Sequence, residues 1–592
     1  MKFRKIKEII NNFFTILKYA ETKNKFKFFV LQIHIFFSSI LETLSIFTII
    51  PILESFNSSS ESKMLNVLEG YFGPKLLSPL NLIMVFCFFL ILSNAYQIII
   101  KKRIIDFSYT LMLDIQKKVF QKIIQRKYEF FINKDIAYFN NLILHEVDRI
   151  KGAFIESSLF ILSQIIIVTL TFIGLLIYNY KVTIFIVIAL FTFYLFYILV
   201  IGSRIYSASK LNSNYKKKTI QYLNDIFSVI KTLVFKKNKS KFYDKLENIL
   251  SENYKINSFE QIIGAMVKNL FEIYFITIIV VFVYFKENAF QINTLLTYGI
   301  FIFAAYKIVP SLHLLYRYFV AFLGSSNSLK LITQELTDIN QYSEIVENNF
   351  QIDEIQLQNV SFSYDKKKDV LKNINYKLPK NKTIGICGRS GSGKSTFIDL
   401  VSGLMSSTSG NILINKKADQ TNSSILVSNS AYCAQKTILI DDTIQNNICL
   451  EADTSTIDKN LLLKSIEVAE LNDFVKGFKD GINTIIGEDG VRVSGGEAQR
   501  INIARTIYSN RKLIFFDESL NNLDMITSKK ILDNLKKMQL GKIIFFITHD
   551  LRLLSDFEEV LIFDDGILIE SGSFSKLKEN SKIFLELLSK QT

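Results

Sequence analysis

The chain has 592 residues, 49% of them hydrophobic and 21% charged. With a mean hydropathy of +0.24, that composition argues against an ordinary soluble enzyme. Lys and Arg total 70 against 55 Asp and Glu, a formal net charge of +15. The basic residues flank apolar segments and form no single stripe, which argues against nucleic acid as a partner.

Before about residue 325 lie six segments long enough to cross a hydrocarbon core of ~30 Å. They run roughly over 28–53, 79–100, 153–178, 182–203, 262–286 and 292–316. The third and fourth meet at Tyr178-Asn179-Tyr180-Lys181, which predicts a tight hairpin. Core helices of a soluble protein would need every one of these stretches packed on all sides. Lys2, Arg4, Lys5 and Lys7 precede the first span, and Lys101, Lys102, Arg103, Lys216, Lys217 and Lys218 stand in two long loops. The opposite loops carry only Lys63, Lys75, Lys181 and Lys286. By the positive-inside rule, both termini and both long loops are expected in the cytoplasm. The first apolar segment is too long for a cleavable signal peptide and lacks a cleavage site. Cys87, Cys387, Cys433 and Cys449 have no metal-ligand spacing and are expected as free thiols.

The loops at 101–151 and 204–261 have helical patterning and no Pro, so they are expected to continue the membrane helices. At ~1.5 Å per residue, such excursions reach roughly 30–40 Å past the membrane. Their tips, near 134–138 and 223–227, are expected to dock on the second half of the chain.

The expected division is a six-helix membrane domain over 1–325, a linker over 326–352, and an α/β domain over 353–592. In the last of these, short β-type runs alternate with helical ones. Its central motif is Gly388-Arg389-Ser390-Gly391-Ser392-Gly393-Lys394-Ser395, followed by Thr396. This is a complete G-x-x-x-x-G-K-S phosphate loop between an apolar strand and a helix. Its backbone N–H groups can cradle phosphates, Lys394 can neutralise them, and Ser395 offers a hydroxyl to Mg²⁺. An α/β P-loop NTPase fold with ATP and Mg²⁺ follows from these residues.

Further groups follow in order. Tyr364 ends an apolar run and can stack on adenine. Gln435 follows a strand and can reach Mg²⁺ or an attacking water. Ser494-Gly495-Gly496 opens a helix suited to phosphate. Asp517 and Glu518 end an apolar strand, the first placed for Mg²⁺ and the second for polarising a water. His549 ends another such strand.

This order resembles the nucleotide-binding domain of an ATP-binding-cassette (ABC) transporter, over residues 353–592. The resemblance implies that Tyr364 is the adenine-stacking aromatic and Gln435 the Q-loop residue. Ser494-Gly495-Gly496 is then the signature that closes on ATP from another subunit. Glu518 becomes the catalytic carboxylate and His549 the switch histidine. Six spans followed by one cassette resemble a half-transporter of the exporter class, and 484–490 resembles the exporter-specific loop. The chain departs from the family pattern at Val493 and Glu497, where Leu and Gln are usual, and at Asn521-Asn522, where Ser-Ala is usual. A phosphate loop and a signature on one cassette face apart, so a second copy is the expected partner; a heterodimer is the alternative.

In the membrane half, Leu41-Glu42-Thr43-Leu44 with Pro51, Lys268 with Glu272, and Ala305-Tyr306-Lys307-Ile308-Val309-Pro310-Ser311 resemble bacterial flippases of lipid-linked oligosaccharides. On that resemblance Lys268 and Lys307 attract the pyrophosphate of the lipid carrier, and 63–72 touches the lipid tail at the outer interface. The implied location is the bacterial inner membrane, multi-pass. The alternatives are export of a peptide, drug or other lipid, and a membrane-tethered ATPase that transports nothing. A peptide-processing exporter would need a protease domain, and only some 27 residues precede the first span.

Overall fold

The computed structural model describes residues 2–589 apart from 56–69, 72, 74–76, 133, 285–294, 339–351, 366–367, 419–421, 451–453, 488–490, 492, 522 and 539–540. Contacts divide the chain into two units, Met1–Arg126 with Ile132–Gln341, and Lys127–Phe131 with Tyr342–Thr592.

The first unit is helical: α1 (Lys2–Tyr19), α2 (Thr22–Phe47), α3 (Pro79–Ile124), α4 (Ser157–Tyr178), α5 (Tyr180–Ser228), α6 (Ser240–Tyr284), α7 (Leu295–Gly324) and α8 (Ser326–Thr337). Ser78 caps α3 by accepting from the Asn81 N–H, with Pro79 in the first turn where its missing N–H costs nothing. Extended backbone at Asn179 ends α4, and its side chain then accepts from the Val182 N–H to start α5. One residue thus builds the expected hairpin. The helices α3, α5 and α6 have 46, 49 and 45 residues. At ~1.5 Å per residue each is about 70 Å long, some 40 Å more than a hydrocarbon core requires. α2 packs on α3 and α4, α7 lies along α4, and α5 and α6 pack chiefly on each other.

Six spans were expected. Among the described residues, three stretches are long and apolar enough to cross a membrane: Thr22–Ser55, Pro79–Ile124 and Ile136–Tyr178. Phe301–Gly324 with Ser326–Thr337 forms a fourth, bent by 44°. The described apolar parts of α5 and α6, Tyr180–Phe193 and Asn269–Ile278, are shorter. The spans expected at 182–203 and 262–286 run on into residues whose side chains are outside the description.

The tip expected at 134–138 belongs to the first unit; residue 133, just before it, lies outside the described residues. Asp135 pairs with Lys217 at 3.7 Å and the Tyr138 hydroxyl donates to Glu335 Oε1 at 2.7 Å, all within the first unit. The earlier run Lys127–Phe131 belongs to the second unit instead. There Glu129 Oε1 accepts from the Ser406 N–H at 2.7 Å, so a carboxylate satisfies a loop donor.

The second unit is α/β. An antiparallel sheet orders β1 (Ile355–Phe362), β2 (Leu371–Lys377) and β4 (Ser409–Ile414) as β2-β1-β4. The main sheet contains β3 (Thr383–Gly388), β5 (Ser430–Cys433), β8 (Leu513–Asp517), β9 (Ile543–Ile547), β10 (Glu559–Asp564) and β11 (Ile567–Gly572). Its order is β11-β10-β3-β9-β8-β5, parallel except for β11. A two-stranded ribbon joins β6 (Asp442–Thr443) to β7 (Ile485–Ile486). Every residue of β8 is buried, as a parallel strand covered on both faces requires. Phe515 stacks on Phe545 and Phe516 on Phe546, at 5.1 and 4.6 Å, locking β8 to β9 from both faces.

Candidate functional site

The carboxyl ends of β3, β8 and β9 lie side by side, the usual place for a ligand in a sheet of this kind. β3 feeds the loop 388–393, and α9 (Lys394–Val401) opens directly after it. Gly388 has φ +148° and a Cβ there would meet the Phe563 carbonyl oxygen at 2.1 Å, so only glycine fits. Gly391 has φ +77° with open space around its Cα, which leaves the loop backbone approachable. Lys394 Nζ donates to the carbonyl oxygens of Gly388 and Arg389 at 3.1 and 2.9 Å, which holds the ammonium across the loop. Arg389 pairs with Glu586, Ser390 is exposed, and Ser392 is buried beneath the turn.

The next shell is acidic. Ser395 Oγ donates to Asp517 Oδ1 at 3.4 Å and the Tyr432 hydroxyl to Asp517 Oδ2 at 2.8 Å. Burial raises the Asp517 carboxyl above its ordinary range, against the effect of these two hydrogen bonds. Burial and then the Asp517 charge push Asp399, on α9, up to about 6. Burial lowers the Lys394 ammonium, while Glu518 acts in the opposite sense. Ser395 and Asp517 offer only oxygen donors, a set suited to a hard divalent cation.

Glu518 follows β8 in a left-handed conformation, φ +50°, a sparsely populated region for a residue with a side chain. Its carboxylate accepts three hydrogen bonds. Gln435 Nε2 reaches Oε2 at 2.6 Å, His549 Nε2 meets Oε1 at 2.7 Å, and Asn521 Nδ2 lies 3.4 Å from Oε2. A carboxylate cannot donate, so the His549 proton facing it sits on Nε2. Gln435, expected from the sequence to reach Mg²⁺ or the attacking water, contacts Glu518 here. Asn521, one of the departures from the family pattern, belongs to the site; Asn522 lies outside the described residues.

Tyr364 is 53% exposed, edge-on to Phe362, with its hydroxyl 3.2 Å from Thr396 Oγ1. One ring face is therefore open beside the phosphate loop. Ser494 caps α10 (Gly495–Tyr508). Its Oγ accepts from the Glu497 N–H at 3.3 Å, and Glu497 Oε2 accepts from the Ser494 N–H at 2.7 Å. That reciprocal capping box accounts for Glu497: a carboxylate serves at this position as an amide would. The expected substrate residues Lys268 and Lys307 lie on α6 and α7, and their side chains are outside the description. Of the segment 63–72, only Gly70 and Tyr71 are described. Sequence reasoning missed Tyr432 as the anchor of Asp517, although it stands three residues before Gln435.

The sheet and the loop define a P-loop nucleotide-binding domain joined to a helical membrane domain. The pattern of the ABC transporter transmembrane region matches residues 28–306, and a second pattern, that of the ABC transporter, matches 371–521. With both modules present in their order, the chain belongs to the ABC transporter family. Its relatives include the ATP-dependent lipid A-core flippase of Photobacterium profundum, 34% identical over 40% of either chain. The heterocyst differentiation ATP-binding protein HepA of a Nostoc species is 25% identical, over 78% of this chain and 76% of HepA. The match to an export ATP-binding/permease protein of Rickettsia typhi covers 42% of that relative, so the chain spans about two-fifths of the length of such relatives. A bacterial Atm1-family ABC exporter with ATP bound has the same fold, with a TM-score of 0.78 over 99% of this chain and 98% of that one at 16% identity.

Proposed function

We propose that this chain is one half of an ATP-driven exporter, two copies of which flip a lipid-linked oligosaccharide across the bacterial inner membrane. The observation that carries the ATP-driven part is Glu518. An acceptor-only carboxylate, oriented by Gln435 and His549 at 2.6 and 2.7 Å, stands next to a phosphate loop. In hydrolysis the loop N–H groups and Lys394 hold the phosphates, and Tyr364 holds the adenine. Glu518 takes the proton of the attacking water while His549 keeps the carboxylate in line. Ser395 and Asp517 would hold Mg²⁺, which would supply positive charge against the phosphates. Ser494, Gly495 and Gly496 of a second copy would complete each site, and a two-fold homodimer would supply both.

The substrate reading draws support from two sources. Relatives in Photobacterium profundum and Aliivibrio fischeri are named lipid A-core flippases. In addition, Lys268, Glu272 and Lys307 fall within expected spans, where ionisable groups are costly enough to mark a function. The test is rescue of a flippase-deficient glycosylating bacterium, with ATPase activity measured in parallel in proteoliposomes. Lys268→Ala and Lys307→Ala should lose most of the rescue and keep basal ATPase activity, and Arg at either position should restore it. Full rescue by both Ala variants sinks the pyrophosphate role. An active wild-type ATPase without rescue points to another exported amphiphile, and ATPase activity indifferent to every amphiphile points to a tethered ATPase.

A further inference from the structure

We infer that the crevice between α2 and α3, at the basic ends of the first two spans, binds the headgroup of an anionic membrane phospholipid. The crevice has a volume of about 310 Å³ and an apolar floor that includes Val30, Leu31 and Phe107. Lys27 on α2 and Arg103 on α3 line it from opposite sides.

Arg103 is held in place by its neighbours. Its Nη1 lies 2.8 Å from His34 Nε2, and His34 Nδ1 lies 2.8 Å from the Tyr96 hydroxyl. A guanidinium can only donate, so His34 Nε2 is the acceptor and the imidazole proton sits on Nδ1, donating to Tyr96. The ring is therefore neutral, and it steers Arg103 without cancelling its charge. Among the described residues, neither Arg103 nor Lys27 forms an ion pair with a carboxylate. Asp106 also lines the crevice, leaving two cations against one carboxylate.

The surroundings favour a lipid over a soluble anion. Phe26, Phe29 and Ile33 on α2 are 72%, 67% and 70% exposed, and Ile99 on α3 is exposed as well. These apolar faces lie along the same two helices, where acyl chains would run from a headgroup seated on Arg103. Basic pockets between membrane helices on the cytoplasmic side are suited to anionic headgroups, and a guanidinium grips phosphate with paired donors. The site is independent of the exported cargo.

The experiment is native mass spectrometry of the full chain in detergent, offered phosphatidylglycerol and phosphatidylcholine in equal amounts. The wild type should retain phosphatidylglycerol preferentially. The double variant Lys27→Gln, Arg103→Gln should retain it about thirtyfold less, the scale expected when two cations leave an anionic headgroup. Asp106→Asn should retain more than the wild type, a gain that a damaged protein cannot imitate. Equal retention of the two lipids, or no response to either set of substitutions, overturns the assignment. So does displacement of the phosphatidylglycerol by millimolar inorganic phosphate, which would make the crevice a general anion site.

Discussion

Both halves of the molecule bury charge, and they do so to opposite effect. In the membrane half the buried guanidinium of Arg126 faces two carboxylates, Glu335 at 2.9 Å and Asp338 at 3.0 Å. Glu146, also buried, accepts from Asn141, Ser213 and Ser328 at 3.1, 2.6 and 2.5 Å. Each of these charges is matched by groups of its own unit, and the result is a brace between helices. In the nucleotide half, Asp517 stands between two other carboxylates, Asp399 and Glu518, and Lys394 is the ammonium that Asp517 and Glu518 feel. Three carboxylates against one ammonium leave that set short of positive charge, which a divalent cation would supply. The difference separates a structural network from a reactive site more sharply than burial does.

Glu518→Gln tests the unbalanced set and should have the largest effect. The substitution keeps the shape and removes the base, so ATP hydrolysis should fall about 10²–10⁴-fold while ATP binding persists. Lys394→Ala should weaken nucleotide binding itself. Turnover by purified protein, with nucleotide affinity measured alongside, checks both. Near-normal turnover in Glu518→Gln would mean that another group takes the proton.

Arg126→Met tests the balanced set. It leaves Glu335 buried without its cation, a loss that typically costs about 3–5 kcal/mol. The apparent melting temperature of the solubilised chain should drop clearly. Adding Glu335→Met should recover part of that drop, because an apolar pair leaves no stranded charge. A double variant no better than the single one would place the loss in the shape of the guanidinium and its packing. Glu518→Gln should leave the melting temperature nearly unchanged, and that contrast is the point of the pair.

How much of this was legible in the sequence follows the same division. The phosphate loop could be read because its chemistry lies in eight consecutive residues whose glycines have backbone reasons to be there. The strand ends at Asp517, Glu518 and His549 were legible because apolar runs stop abruptly at polar residues. The left-handed turn at Glu518 was not, since no glycine announces it. The Arg126–Glu335 brace was also hidden, because its partners are 209 positions apart and nothing local pairs them. The partners of Tyr138 and Glu129 were hidden for the same reason: Tyr138 bonds to Glu335 and Glu129 to Ser406, each far along the chain.

The smallest expected effect is also the most direct measure of crowding in the unbalanced set. Burial and the Asp517 charge push the Asp399 carboxyl up to about 6 in the folded protein. An unfolded aspartate titrates near ~3.9. Because the folded value is the higher one, the folded state binds more protons between the two. Its contribution to stability is therefore full below ~3.9 and is lost as pH rises through about 6. Ionised Asp399 thus weakens the fold at pH values above that range. Asp399→Asn replaces the charge with a neutral group of the same shape and leaves the helix backbone untouched. Without nucleotide or divalent cation, the variant should melt above the wild type in alkaline buffer. That advantage should shrink steadily as the pH is taken down through about 6, because the wild-type carboxyl then becomes neutral too. Thermal scans of both proteins across the range decide it, and an advantage that grows on acidification would reverse the sign of the argument. Adding Mg²⁺ in alkaline buffer should narrow the gap as well, since a cation held at Asp517 offsets the neighbouring charge that Asp399 feels.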